Sequence, residues 1–250
     1  MIALLDLSRS FDAGHGRDVI TTRALGPLTL SVPDLQFVAV VGRSGSGKTT
    51  LLRLIAGLIR PSSGDILVDG RPVTGPGPDR AVVFQQSALY PWRTVEANVR
   101  LGLELSRLVS RQEAREIAGR YLALVGLTEF ARHYPHQLSG GMQQRVGLAR
   151  ALAVSPAHLL MDEPFGSLDA ILRRELGGEL LRIWEQKRRT VIFVTHSVEE
   201  ALMLADRVVV LRHGRIVRDL PVELPRPRDP EAVVEELNFM QLRRELLELL

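Results

Sequence analysis

Three stretches of this chain carry residue types at spacings that can do chemistry. The first is GRSGSGKT, Gly42 to Thr49, followed by Thr50. It matches the pattern G-x-x-x-x-G-K-[ST] between an apolar run and a helical one. Gly42, Gly45 and Gly47 let the backbone curl so that its amides, with those of Arg43, Ser44 and Ser46, face a chain of phosphates. Lys48 can reach the terminal phosphates, and Thr49 can offer its hydroxyl to Mg²⁺. The second stretch is MDEP, residues 161–164, which ends an apolar run with two carboxylates. Asp162 has the chemistry to hold Mg²⁺ directly or through water, and Glu163 to orient or deprotonate an attacking water. The third is LSGGMQQRVGLARAL, residues 138–152. There Ser139 can cap a helix whose first amides, on Gly140 and Gly141, are left bare at the positive end of the helix dipole. Met142, Val146, Ala149 and Ala153 follow at i, i+4, i+7 and i+11, one helical face. A chain that already has one phosphate site has a second anion site to explain.

The elements that must position these residues alternate. FVAVVG (37–42), AHLLMD (157–162) and TVIFVT (190–195) are nearly all apolar, as strands buried on both faces of a parallel sheet are. Each leads into a helical segment: TTLLRLIAGLI, LDAILRREL and SVEEALMLA. Parallel strands deliver their C-terminal residues to one edge, where such sheets bind ligands. Two more residues belong to that edge. His196 follows TVIFVT, either as a hydrogen-bonded strand end or as a contact to a γ-phosphate. Gln85 follows AVVF, either as a polar loop residue or as an amide touching Mg²⁺ or the water. Between about 86 and 155 strand signals vanish, which predicts a helical insertion in an α/β core. Ser110 with Glu113, and Ser197 with Glu200, form S-x-x-E capping boxes. VVVLRHGRIV predicts two short strands around a His-Gly turn. LPRPRDP (224–230) reads as a proline-punctuated linker. Asp229 and Pro230 would then open a last helix that docks on the core by Val233, Leu237, Met240 and Leu247.

Composition sets limits. The 250 residues are 45% hydrophobic, enough for one large domain or a core with a subdomain. No apolar run approaches the roughly 18 residues of a membrane span. The opening MIALLDLSRS, with its early Asp6, does not read as a secretory leader. There are no cysteines, which excludes disulfides and thiolate chemistry and fits a cytosolic protein. Lys48 and Lys187 are the only lysines, and a net charge of +3 with no basic block gives nucleic-acid binding little support.

Taken in order, the Gly-rich loop, FQ at 84–85, LSGGMQQR at 138–145, LLMDEP at 159–164, SLD at 167–169 and TH at 195–196 resemble the nucleotide-binding subunits of ABC transporters, from about residue 3 to 220. The resemblance implies an α/β P-loop NTPase core with a mostly parallel sheet, an antiparallel β part near the N-terminus and an inserted α-helical subdomain at about 86–155. Residues 1–220 would form the ATPase domain, and 221–250 a linker and helix. It implies ATP and Mg²⁺ as cofactors, with Thr49, Gln85 and Asp162 at the metal and Glu163, His196 and Gln85 in catalysis. It also answers the question of two anion sites. Two subunits would pack head to tail, with Ser139, Gly140, Gly141 and Gln143 of one facing the ATP of the other and Asp169 coupling the two sites. Phe11 matches the position where the family places a tyrosine against adenine; a core role is the alternative. Leu35-Gln36 stands where the family commonly has Gly-Glu, a departure that alters a turn.

ALYPWRTVEANV (88–99), LLMDEPFGSLDA and LPRPRDP look like the importers of nitrate, sulfonates and taurine. That implies a second copy or a paralogous ATPase as partner, transmembrane permease subunits, and indirectly an external solute-binding protein. The site of action would be the cytoplasmic face of the inner membrane, peripherally. Tyr90-Pro91-Trp92 would lie where a permease helix docks, or pack within the insertion. A soluble ABC ATPase acting on DNA or ribosomes would be expected to carry a tandem ATPase unit, a long coiled coil or a basic arm. A P-loop kinase or switch would leave LSGGMQQR and His196 without work.

Overall fold

The computed structural model describes residues 1–13, 20–106, 109–166, 168–229 and 232–250. The chain begins with long strands β1 (Ile2–Ala13) and β2 (Ile20–Val32), then β3 (Phe37–Val41), helix α1 (Lys48–Ile55) and strands β4 (Ser63–Val68), β5 (Arg71–Pro72) and β6 (Arg80–Val83). Helices α2 (Val95–Ser106), α3 (Arg111–Leu124) and α4 (Gly140–Ala153) come next. The α/β alternation resumes with β7 (His158–Asp162), α5 (Ala170–Gln186), β8 (Thr190–Thr195), α6 (Val198–Leu204), β9 (Arg207–Arg212), β10 (Arg215–Pro221) and the final α7 (Leu237–Leu249).

Two sheets result. One is antiparallel, in the order β2-β1-β4-β5; the other runs β10-β9-β3-β8-β7-β6 and is parallel except for β10 at its edge. This is a P-loop NTPase fold with a mostly parallel core and an antiparallel part near the N-terminus. In β3, β7 and β8 every residue is buried, as continuous apolar runs require when both faces are covered. The faces are shared by alternation. Phe37, Ala39, Val41, Met161 and Phe193 pack toward α5 and α6. Val38, Val40, Leu160, Ile192 and Val194 pack toward α1 and the antiparallel sheet. Between β6 and β7 the described residues form helices, 3₁₀ turns and loops, and no strand. α2, α3 and α4 have a core of their own, including Val99, Ala118, Leu122, Val146 and Ala149. Met142 packs only at its edge, partly buried.

Several local expectations need correction. Ser197 Oγ accepts from Glu200 N at 3.2 Å, but the Glu200 side chain does not return to Ser197. The Ser197 amide is taken by Thr195 Oγ1 at 3.0 Å, and Glu200 bonds Thr195 instead. At α3, Ser110 Oγ accepts from Glu113 N at 3.2 Å. The tail is packed, not a free linker, with Val222, Leu224 and Arg228 buried. Asp229 accepts from Ala232 N ahead of a 3₁₀ turn at Val233–Glu235; Pro230 lies outside the described residues. Helix α7 does dock on the core, with Phe239 and Leu246 buried, whereas Leu237, Met240 and Leu247 face solvent. A period of 3.6 shows that a helix has an apolar side; α7 has two, and only packing decides which is covered. Leu35 sits at φ 61°, the left-handed conformation that suits glycine, which is the physical content of the departure at Leu35-Gln36.

Candidate active site

The parallel register brings the chemistry together. Val41 pairs with Thr195, Asp162 with Val194 and Val83 with Met161, so β3, β8, β7 and β6 end on one edge. The residues just beyond those ends line one cleft: Ser44 to Thr50, Gln85, Glu163 and His196, joined by Thr22, Arg23 and Ala24 of β2. The β2 residues carry no motif. It is the pairing of β2 with β1, where Thr22 stands opposite Phe11, that brings them there.

The loop from Gly42 to Thr49 closes around its own backbone. At Gly47, φ is 102°, and a Cβ would come within 2.6 Å of Ala24 O, so conformation and space both demand glycine. Lys48 is buried and donates to Gly42 O at 2.7 Å and Arg43 O at 3.1 Å, holding the loop in shape. Burial lowers its pKa, opposed by the charges of Glu163 and Asp162. Ser46 Oγ is buried with no hydrogen-bond partner, on a residue that lines the cleft beside Gly47 and Lys48. An orphaned hydroxyl there fits a phosphate oxygen.

Asp162 is 4% exposed, and burial raises its pKa, with the hydrogen bond from Thr49 working the other way. Thr49 Oγ1 donates to Asp162 Oδ1 at 3.0 Å, across 113 residues of sequence. Two hard oxygens, one a buried carboxylate, converge as a Mg²⁺ ion needs. Among the described residues no cluster of three or more His, Cys, Asp or Glu could hold a metal, so the rest of an octahedral shell would fall to phosphate and water. The residues therefore fit Mg²⁺ bound together with a nucleotide.

Glu163 leaves the strand at φ 45°, an unfavourable conformation for a non-glycine residue, held by its amide donating to Val194 O at 2.9 Å. The turn aims its carboxylate at the neighbouring strand end, where Glu163 Oε2 lies 3.0 Å from His196 Nδ1. Gln85 is exposed at the cleft. Phe11 is 39% exposed with the Arg9 guanidinium 4.5 Å from its ring centre. That sets aside the core reading, although Phe11 is not itself among the cleft-lining residues. Residues 14–19, shortly after it, lie outside the described residues.

Ser139 and Gly140 are exposed and do not line the cleft. Ser139 Oγ accepts from Met142 N at 3.3 Å, which leaves the first helical amides, of Gly140 and Gly141, without an intrahelical acceptor. Gln143 is committed within the chain: its Nε2 donates to Pro135 O at 3.0 Å and Leu138 O at 3.4 Å. Asp169 caps α5, accepting from the amides of Ile171 and Leu172. Trp92 is 72% exposed and meets Tyr90 edge to face at 5.6 Å, so it does not pack within the helical region. The fully buried Asn98 holds that loop, accepting from Tyr90 N and donating to the carbonyls of Tyr90, Arg93 and Thr94.

Comparison with known proteins agrees with this geometry. Residues 25–166 match the family described as ABC transporter. An ABC transporter ATP-binding protein of Methanocaldococcus jannaschii is 52% identical over 247 residues, 98% of this chain and 89% of that protein. The nitrate import ATP-binding protein NrtD of Synechococcus elongatus is 48% identical, over 91% of this chain and 84% of the relative. Among solved structures, the dimeric post-hydrolysis state of the ATP-binding cassette MJ0796 bound to ADP and Pi superposes with a TM-score of 0.81 at 32% identity, covering 90% of this chain and all of that one. With a Gly-rich loop, a hydrogen-bonded Asp-Thr pair and a Glu-His pair on one sheet edge, and half-identical relatives over nearly its whole length, this chain belongs to the ABC transporter family as an ATP-binding, ATP-hydrolysing subunit.

Proposed function

We propose that the chain is the energy-coupling ATPase of an importer for a small solute, working as a head-to-tail pair against separate permease subunits at the cytoplasmic face of the membrane. The observation that carries the reading is the separation of two anion sites. The cleft holds Lys48, Thr49, Glu163 and His196, with Asp162 buried behind Thr49, while the bare amides of Gly140 and Gly141 do not line it. One nucleotide cannot use both within one chain; two copies can satisfy both twice.

In this reading Lys48 exchanges its loop carbonyls for the β- and γ-phosphates, and Ser46 and the loop amides bind the rest of the triphosphate. Thr49 and Asp162, together with Gln85, would hold Mg²⁺, which would neutralise charge on the phosphates. Glu163 orients the attacking water and takes its proton as the bond from oxygen to the γ-phosphorus forms and that to the leaving ADP oxygen breaks. His196, held by Glu163, contacts the γ-phosphate. Ser139, Gly140 and Gly141 complete the partner's site, with Gln143 shaping their loop and Asp169 at the interface, and Phe11 stacks on adenine.

No helix among the described residues is long and apolar enough to cross a membrane, and this reading assigns the passage to separate permease subunits. The exposed Tyr90-Trp92 pair suits the docking of a permease helix. Nitrate is named for one relative and bicarbonate for another at 45% identity, which supports a small-anion solute delivered by an external binding protein. The test is the solution mass of Glu163→Gln by light scattering. With Mg-ATP the mass should double, and adding Ser139→Arg should abolish the shift. A chain that binds ATP and stays monomeric would sink the head-to-tail reading.

A further inference from the structure

Outside the cleft, one mostly buried carboxylate has no part in the chemistry above. Glu200 on α6 accepts from Thr195 Oγ1 at 2.6 Å through Oε2. Its Oε1 lies 3.5 Å from Arg173 Nε. Arg173, in the first turn of α5, donates through Nη2 to Leu168 O at 3.0 Å, while its buried Nε has no hydrogen-bond acceptor. Thr195 Oγ1 also accepts from Ser197 N, so one hydroxyl spans both sides of His196. A continuous path thus runs from the Leu168 carbonyl through a guanidinium and a carboxylate to the residues flanking His196. Its first member adjoins Asp169.

The weakest span of the path is specific. At 3.5 Å the Arg173–Glu200 contact is an ion pair outside ordinary hydrogen-bond length, where about 2.9 Å is usual. Every other step is at 3.0 Å or less. Burial pushes the Glu200 carboxyl above its usual range, against the Thr195 bond and the Arg173 charge. A loosely made ion pair with a partly exposed arginine adds little to stability. It can still switch, because a small movement of the Leu168 carbonyl tightens or releases the guanidinium.

We propose that Arg173 and Glu200 are positioning residues that tie the orientation of His196 to the loop at Leu168–Asp169, so that docking of a second copy at Asp169 sets the γ-phosphate contact. This rests on the head-to-tail reading above. Glu200→Gln is the decisive variant, since its amide oxygen still accepts from Thr195 while the charge facing Arg173 is gone. Steady-state hydrolysis over an ATP titration should show kcat reduced about tenfold, the scale of a typical coupling between sites. The Hill coefficient should fall to one, with equilibrium ATP affinity within about twofold of the parent. Arg173→Gln should do the same, and the double variant should be no worse than either single. Arg173→Lys, which keeps the charge, should recover part of the loss. If Glu200→Gln folds poorly, Arg173→Gln, on a partly exposed side chain, carries the same readouts. Unchanged kcat and cooperativity, or single effects that simply add, would overturn the relay while leaving ATP-dependent pairing of Glu163→Gln intact. Absence of that pairing would overturn both.

Discussion

Arg228 is the residue whose loss the structure predicts in most detail. It is 6% exposed and donates to Leu202 O at 2.9 Å, Met203 O at 3.2 Å and Ala205 O at 2.7 Å, with longer contacts of 3.4 Å to Val222 O and Leu224 O. The first three are the carbonyls at the end of α6, which no turn of that helix can satisfy. A guanidinium from the tail therefore caps the helix that follows His196, and its charge complements the negative end of the dipole. Burial pulls Arg228 down to about 10, so it is still cationic at neutral pH. Arg228→Ala removes three charge-assisted N–H donors, the two on Nη1 shared among those three carbonyls and one on Nη2, worth roughly 1.5–3 kcal/mol each at face value. Water entering the vacated space and relief of the buried charge offset about half, leaving a net loss of about 2–4 kcal/mol. For a chain of this size that lowers Tm by about 4–16 °C. Urea unfolding followed by Trp184, whose ring lies 4.6 Å from the neighbouring Arg226 guanidinium, should show a lower midpoint at unchanged slope. Arg228→Lys should fall between. A loss under about 1 kcal/mol would refute the reasoning, for it would mean that water satisfies those carbonyls and the tail merely rests on α6.

Three shorter predictions accompany it. Lys48→Ala should weaken binding of a fluorescent ATP analogue by about tenfold to a hundredfold, the range of one lost charge-assisted contact; unchanged affinity would remove Lys48 from the phosphate site. Leu35→Asn should raise stability by about 0.5–1 kcal/mol and leave ATP hydrolysis unaltered, because residue 35 is 53% exposed and asparagine tolerates φ 61° better than leucine. Glu200, surrounded by Thr195, Arg173, His196 and Glu163, has a raised pKa, so the folded state prefers its protonated form. Its contribution is present below the ordinary 4.5 and is lost as pH rises through the folded value, so urea midpoints of the parent should fall relative to Glu200→Gln across that window.

Much of the site is legible in the chain because it is built from backbone and adjacent residues. GRSGSGKT must curl wherever it lies, and Ser139 must cap the helix that follows, since both are local consequences of glycine and of a hydroxyl at an N-cap. The apolar runs ending at Val41, Asp162 and Thr195 state that they are covered on both faces. The repeated strand-helix order then implies a parallel sheet and a common edge. Those features identify the family without coordinates.

What is not legible depends on long-range register. That Thr49 meets Asp162 follows from the motif, but that Arg23 of β2 joins the cleft follows only from the closure of two sheets around α1. LPRPRDP reads as a linker because proline and arginine suit solvent. It is a clamp because Arg228 finds carbonyls at the end of α6, some 25 residues earlier, that no turn of that helix can satisfy. The apolar side of α7 was visible, and its choice of face was not, since Phe239 and Leu246 are buried by what lies opposite them rather than by anything in their spacing. Glu200 shows the division within one residue. Its backbone amide bonds Ser197 as local pattern dictates, while its carboxylate passes over the capping position to Thr195 and Arg173. Sequence alone determined the groups that bind phosphate and the elements that carry them, because short-range geometry decides those. Tertiary structure decided which side chains beyond the motifs share that edge, because a buried polar group takes the partner that packing places beside it.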